Sequence, residues 1–418
     1  MSTIAWIDVA LRGARPQAMG ALLRHFRDLD LADEAFQEAC LRALKSWPKN
    51  GPPRDTVAWL VMVGRNAALD GVRRRNRERE LPGEEALSDL SEAEGPLAEQ
   101  LDEADYRDDL LRLLFMCCHP QLPATQQIAL ALRIVCGLTV PEIARAFLVT
   151  DVAMEQRITR AKKYVAAERV PFETPGAPER AERLSGVAAV LYLLFNEGYS
   201  ATGGSAHVRV PLCDEAIRLA RLLLRLFPGE PEMLGLTALM LLQHARSKAR
   251  LDTQGAIVLL EDQDRSVWDR DRIAEALALL DKALRHGSPG PYQVQAAIAA
   301  LHARAPRFED TDWAEIEQLY GALERLQPSP VVSLNRAVAL AKLRGPAAAL
   351  AMIDGLAKDL SGYFYFFGVR GALLMELDQP DEAREAFDRA LALAKSPAEA
   401  AHIRLQIDRL TKKKPRLS

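Results

Sequence analysis

Between Gly137 and Lys163 the chain reads GLTVPEIARAFLVTDVAMEQRITRAKK, two short amphipathic segments on either side of a turn, and this pattern limits the fold more than any other. Thr139 stands three residues before Glu142, the spacing of a capping box, and Pro141 is tolerated in a first turn that needs no helical donor. Ile143, Ala144 and Phe147 form one apolar face, with small Ala144 where two helices would cross closely. Leu148 and Val149 make the turn, and Thr150 caps a second helix in which Met154, Ile158, Ala161 and Val165 recur at spacings of four, three and four. A helix-turn-helix is predicted. The other face of the second helix carries Glu155, Gln156, Thr159, Arg160 and Lys163, residue types that reach base edges and phosphates in a major groove. The same residues also fit a solvated face on an ordinary helical hairpin.

Strands have little support anywhere. Ala and Leu dominate, aromatic residues make up 6%, and Val, Ile and Thr rarely alternate, so the chain is expected to be all-α. Its 418 residues and 49% hydrophobic content suffice for two or three cores. The longest apolar run, around Val187 to Phe195, is too short to span a bilayer, and the start has no stretch of signal-peptide length. A cytoplasmic protein without a membrane partner is expected. Five cysteines, Cys40, Cys117, Cys118, Cys136 and Cys213, are few and set mostly among apolar residues, as reduced core thiols are.

A net charge of -3 argues against a nucleic-acid partner only until the charge is mapped along the chain. Residues 1–80 hold 14 Lys/Arg against 10 Asp/Glu, and residues 106–170 hold 9 against 6. Between them, 81–105 carry nine acidic side chains and no basic one, with Pro82, Gly83, Gly95 and Pro96 as breakers, the composition of an extended linker. A second break, PFETPGAPER from Pro171 to Arg180, separates these modules from a nearly neutral remainder, 180–418.

In the first module, DEAFQEACLRALKSW places Phe36, Ala39, Cys40, Ala43, Leu44 and Trp47 on one helical face and leaves Asp33, Glu34, Gln37 and Glu38 on the other. Such an acidic patch is repelled by DNA and suits a basic protein surface. A loop, PKNGPPRD, leads to TVAWLVMVGRNAALDGVRRRNR, whose end bears Arg65, Arg73, Arg74, Arg75, Arg77 and Arg79 with Asn66 and Asp70 between them. That helix is expected to meet phosphates and bases. Trp59 offers a stacking surface, although a lone tryptophan in an apolar helix is more often core.

The order DLADEAFQEACLRAL, RNAALDGVRRR, acidic linker and GLTVPEIARAFLVTDVAMEQRITRAK resembles domains 2 and 4 of extracytoplasmic-function (ECF) sigma factors, over about 170 residues and without the intervening domain 3. The stretch LRLLFMCCHPQLPATQQIALALRIVCGLTVPEIARAFLV and the long tail resemble the subgroup with a C-terminal repeat extension. The resemblance implies two partners, promoter DNA and core RNA polymerase, the latter met at the beta-prime clamp helices and the beta flap. By matching position, Asp33, Glu34, Gln37 and Glu38 would dock on the clamp helices. The loop holding Lys49, Asn50 and Arg54 would capture an unstacked base of the -10 element, and Arg65, Asn66, Asp70, Arg73 and Arg74 would flank the melted segment. Glu155, Gln156, Arg157 and Arg160, with Thr159 and Lys163, would read the -35 element. Where family members often have a basic residue the chain has Glu155, whose carboxylate could accept from a cytosine amino group.

Around residue 371, Phe367, Gly371, Leu374, Ala383, Phe387 and Ala390 fall at the size-coded positions of a tetratricopeptide repeat, and a shift of 34 residues recovers Ala337, Leu340, Ala349 and Ile353. Weaker echoes involve Ala216, Ala220 and Pro228, and Ala276, Leu280 and Ala283. Helix pairs of this kind stack into a surface for a protein or peptide partner, though plain helical packing explains the same spacing. Enzyme signals are missing: Cys117, Cys118 and His119 lack a second ligand pair at zinc spacing, and NEGYSATGGS lacks the Lys of a phosphate loop. No metal, cofactor or catalytic residue is expected. Asp262, Gln263, Asp264, Arg265 and Trp268, with Asp310, Thr311, Asp312 and Trp313, would either line one groove or join repeats through buried ion pairs. The expected function is a sigma factor regulated in cis by its tail; the alternative is an operator-binding regulator or scaffold, for which the acidic patch would be superfluous.

Overall fold

The computed structural model describes residues 5–76, 103–147, 149–167, 177–200, 210–252, 257–394 and 396–413. Among them every regular element is helical, apart from an isolated antiparallel bridge between Leu251 and Ile257. The all-α expectation holds. The chain divides into two compact units, 1–193 and 194–418. The division falls inside one helix, Ala177–Ser200, in which Leu184, Val187, Ala188, Val190 and Leu191 are buried.

In the first unit, α1 (Ala5–Phe26), α2 (Leu29–Asn50) and α3 (Thr56–Asn76) pack against one another. Asp28 caps α2 by accepting from the Leu31 N–H at 2.9 Å, and Asp55 caps α3 by accepting from Val57 and Ala58. Trp47 closes one end of this core, stacked on Trp6 at 6.0 Å and edge-on to Trp59 at 5.2 Å, so Trp59 is a half-buried core side chain. Next come α4 (Glu103–Cys117), against α1, and α5 (Ala124–Ile134), α6 (Val140–Ala146) and α7 (Asp151–Ala167), with α5 and α6 both against α7. Cys117 and Cys136 are buried; burial pushes Cys117 well up and the half-buried Cys118 up to about 12. The helix Ala177–Ser200, α8, follows.

The second unit continues with α9 (Val210–Leu226), α10 (Pro231–Ala245), α11 (Arg270–Leu284), α12 (Pro291–Arg304), α13 (Trp313–Leu326), α14 (Pro330–Arg344), α15 (Pro346–Asp354), α16 (Phe364–Glu376), α17 (Pro380–Leu393) and α18 (Pro397–Lys413). Contacts run mainly between successive helices, as in a stack of hairpins. Leu374, Ala383, Phe387 and Ala390 share one core cluster; Ala337, Ala349 and Ile353 share the one before it. The echoes also lie inward: Ala216, Ala220, Ala276, Leu280 and Ala283 are all buried.

The polar stretches of this unit resolve into helix ends. Asp264, Asp269 and Asp312 are N-caps, and exposed Asp310 pairs with Arg307 at 2.9 Å. Arg265 is buried: its guanidinium donates to the carbonyls of His302 and Ala305 at the end of α12 and stacks 4.8 Å over Trp268. One arginine thus satisfies orphan carbonyls, while Gln263 Oε1, Trp268 Nε1 and Thr311 Oγ1 are buried without a hydrogen-bond partner among the described residues.

Candidate nucleic-acid interface

The helix-turn-helix forms as its caps dictate. The Thr139 N–H donates to Glu142 Oε2 at 2.7 Å while the Glu142 N–H donates to Thr139 Oγ1 at 3.4 Å, and Thr150 Oγ1 accepts from Ala153 at 3.2 Å. Ile143 and Ala144 are buried and Phe147 half-buried; Leu148 lies outside the described residues. In α7, Met154, Ile158, Ala161 and Val165 are the buried stripe. Glu155, Gln156, Thr159, Arg160 and Lys163 are exposed. Arg157 is half-buried at its edge. The Tyr164 hydroxyl donates to Gln121, anchoring α7 to the turn after α4.

In the first module Lys49 and Asn50 do not sit in a loop: α2 runs on through Pro48 to Asn50, where the Gly51 N–H closes on the Trp47 carbonyl at 2.9 Å. Proline costs little there, since the helix is ending. The loop is reduced to Gly51–Asp55, with Arg54 exposed. Asn66 is exposed and Arg65 half-buried on α3. Asp70, Arg73 and Arg74 lie in the last turns of α3, and their side chains lie outside the described residues. Arg65 also lines a cavity of about 300 Å³ with Arg24, His25 and Arg27 over a floor of Ala21 and Val61. Burial, then the Arg65 charge, lowers the His25 pKa below its ordinary value.

The acidic patch of α2 needs correcting. Glu34 and Gln37 are exposed, and Glu38 is half-buried against Arg42 at 3.3 Å. Asp33 faces inward and is only 5% exposed. Its Oδ1 accepts from Arg15 Nη2 at 2.8 Å, and its Oδ2 lies 3.7 Å from Lys162 Nζ and 3.9 Å from Arg133 Nη2. A carboxylate at that position is buried because cations surround it, which the pattern of α2 alone does not disclose. Leu44, expected in the core, is 44% exposed, and Leu41 is 53% exposed. The outward stripe of α2 is thus Glu34, Gln37, Leu41 and Leu44, a mixed acidic and apolar surface of the sort that binds protein. The two leucines were missed, although their spacing of seven and ten from Glu34 was readable.

A three-helix module with an arginine-bearing helix, followed by a helix-turn-helix, is the arrangement of a sigma factor. Residues 11–78 match the family model for sigma-70 region 2, residues 112–165 match sigma-70 region 4, and residues 183–284 match a family of unknown function, DUF6596. The chain belongs to the sigma-70 family, as an ECF-type sigma factor with a C-terminal helical extension. It is 68% identical over 410 residues to "Uncharacterized protein R00370" of Rhizobium meliloti (strain 1021), a match covering 98% of this chain and 97% of that protein. Sigma factors act in transcription initiation as DNA-binding proteins and are not enzymes. Among the described residues no helix is long and apolar enough to cross a membrane.

Proposed function

We propose that this sigma factor binds core RNA polymerase through the outward stripe of α2 and carries it to promoters whose -10 and -35 elements are read by its two modules. Glu34, Gln37 and Glu38, with Leu41 and Leu44, make the polymerase contact; Lys49, Asn50, Arg54, Arg65, Asn66, Asp70, Arg73 and Arg74 hold the -10 segment; Glu155, Gln156, Arg157, Thr159, Arg160 and Lys163 read the -35 element. The observation that carries this reading is the stripe itself, Glu34, Gln37, Leu41 and Leu44, exposed on the same unit as a helix whose Glu155, Gln156, Thr159, Arg160 and Lys163 are exposed. An operator-binding regulator needs only the second. Run-off transcription with purified core polymerase and a template holding the gene's own upstream region tests it: promoter-dependent transcripts are expected, and DNA binding without transcripts would favour the operator-binding alternative.

The helical extension acts in cis on this activity, as a stack of tetratricopeptide-like hairpins that receives a protein or peptide signal. Support comes from Ala337, Ala349 and Ile353 in one core cluster and Ala383, Phe387 and Ala390 in the next, about one repeat apart. A chain ended near Glu173 should still bind polymerase but give a transcriptional output different from that of the full chain. Identical output and response under all conditions would assign the extension another role.

A further inference from the structure

At the carbonyl ends of α8, α10 and α12 the second unit gathers more positive charge than its fold uses. Arg250 is accounted for: its Nη1 donates to the Tyr199 carbonyl at 2.8 Å, in the last turn of α8, and its guanidinium lies 3.7 Å over the Tyr199 ring. Arg246, directly after α10, lies 5.9 Å from the centre of the same ring. Arg265 reaches the end of α12, where its Nη1 donates to the Ala305 carbonyl at 2.8 Å, yet its Nη2 is buried without a hydrogen-bond partner among the described residues. His302 Nδ1, in the last turn of α12, is in the same condition.

Capping explains Arg250 and the bonded side of Arg265. It does not explain Arg246, whose side chain makes neither hydrogen bond nor ion pair among the described residues. Burial lowers the Arg250 pKa and the Arg246 charge lowers it further; burial, then Arg246, then Arg265, lowers that of His302 to about 4. Like charges gathered in a partly desolvated place repel one another, and a negative group among them removes that cost. Elsewhere in this unit the chain supplies one: Arg336 lies 2.7 Å from both Glu317 and Glu324, and Arg272 lies 3.1 Å from Asp214. To Arg246 it supplies none among the described residues.

We infer that Arg246 and Arg250 form a binding site for an oxyanion, a carboxylate or a phosphate, held by their N–H forks beside the Tyr199 ring and next to His302. Guanidinium is the cation whose planar donors match such groups two at a time. Tyr199, Arg246, Arg250 and Arg265 all fall within 183–284, the stretch that matches the family of unknown function, and outside the two clusters that hold the tetratricopeptide-like register. The site thus goes beyond the signal proposed for the helical stack, and its test needs no polymerase.

His302 serves as a local reporter, since an anion beside Arg246 offsets part of the charge that depresses its pKa. Its ring is identified in the NMR spectrum of the full chain, labelled at its seven histidines, as the signal missing from His302→Gln. Inorganic phosphate and a hexaglutamate peptide are titrated separately at constant ionic strength, so that general screening does not register. At least one of them should shift the His302 signal saturably and raise its pKa. An effect of phosphate places a free anion at the site; an effect of the peptide alone places there a carboxylate presented by a protein. Arg246→Gln should weaken the effect at least about tenfold, and Arg246→Lys about threefold because it keeps the charge but not the fork. Arg384→Gln, on the surface of α17, should leave it unchanged. Because Arg246 makes no hydrogen bond or ion pair in the fold, thermal melts of its variants should match wild type. No saturable change from either probe, or an equal change in wild type and Arg246→Gln, would overturn the inference.

Discussion

Arg15 and Asp33 form an ion pair of 2.8 Å that is almost wholly withdrawn from water. Burial lowers the pKa of Arg15, and the charge of Asp33 opposes that shift. The guanidinium also lies 4.6 Å over the Phe36 ring, which places it between an apolar and an ionic contact.

Removing Arg15 leaves Asp33 only the more distant Lys162 and Arg133, at 3.7 and 3.9 Å, and takes the donor from the carbonyls of Ile134 and Arg133. Arg15→Ala should therefore destabilise the first unit by about 3–5 kcal/mol. Arg15→Lys should recover only part of this, because an ammonium cannot bridge the carboxylate and both carbonyls with a fixed fork. Urea unfolding of both variants checks the order; equal stability of Arg15→Ala and wild type would contradict it.

The outward stripe and the buried aspartate should separate cleanly in mutants. Glu34→Lys and Leu41→Ala are expected to weaken core polymerase binding about tenfold, a cost of about 1.4 kcal/mol, with unchanged thermal stability. Asp33→Lys should unfold the first unit instead. Pull-down of core polymerase beside thermal melts distinguishes these outcomes.

Arg160→Ala should reduce discrimination at one or two -35 positions by about 1–3 kcal/mol, as expected when an arginine paired to guanine is lost. Arg74→Ala should weaken binding to all promoters and lower the salt slope by about 1, since a phosphate contact releases a counterion whatever the sequence. Titrations of promoter variants at several salt concentrations measure both.

In the extension, a Cβ at Gly371 would stand 2.6 Å from the Phe387 ring, which is fully buried. Gly371→Ala should cost about 1–3 kcal/mol of stability in the second unit through overpacking. Thermal unfolding reports the loss, and a neutral result would show that α16 and α17 can shift apart.

Burial, reinforced by Arg246 and Arg265, lowers the His302 pKa to about 4. The unfolded chain therefore takes up a proton near pH 6.5 that the folded chain refuses until about 4, so stability falls as pH drops through that window, by at most about 3 kcal/mol from this residue. His302→Gln should flatten the stability profile between pH 6.5 and 4 relative to wild type. Parallel profiles would show that His302 protonates without penalty.

The sequence by itself determined the helices, the helix-turn-helix and the small-large register of the hairpins. Caps such as Thr139 with Glu142, and stripes such as Met154 to Val165, act over three or four residues and are legible wherever they occur. Glu34, Gln37 and the polar face of α7 are exposed for the same reason. Only the tertiary structure decided the rest. Whether Asp33 faces water depends on Arg133 and Lys162, and the contacts that bury it join residues 119 and 132 positions apart, Arg15 with Ile134 and Lys162 with Asp30. No local period encodes such a meeting, because a charged side chain looks the same in sequence whether it ends in solvent or among cations brought to it by folding.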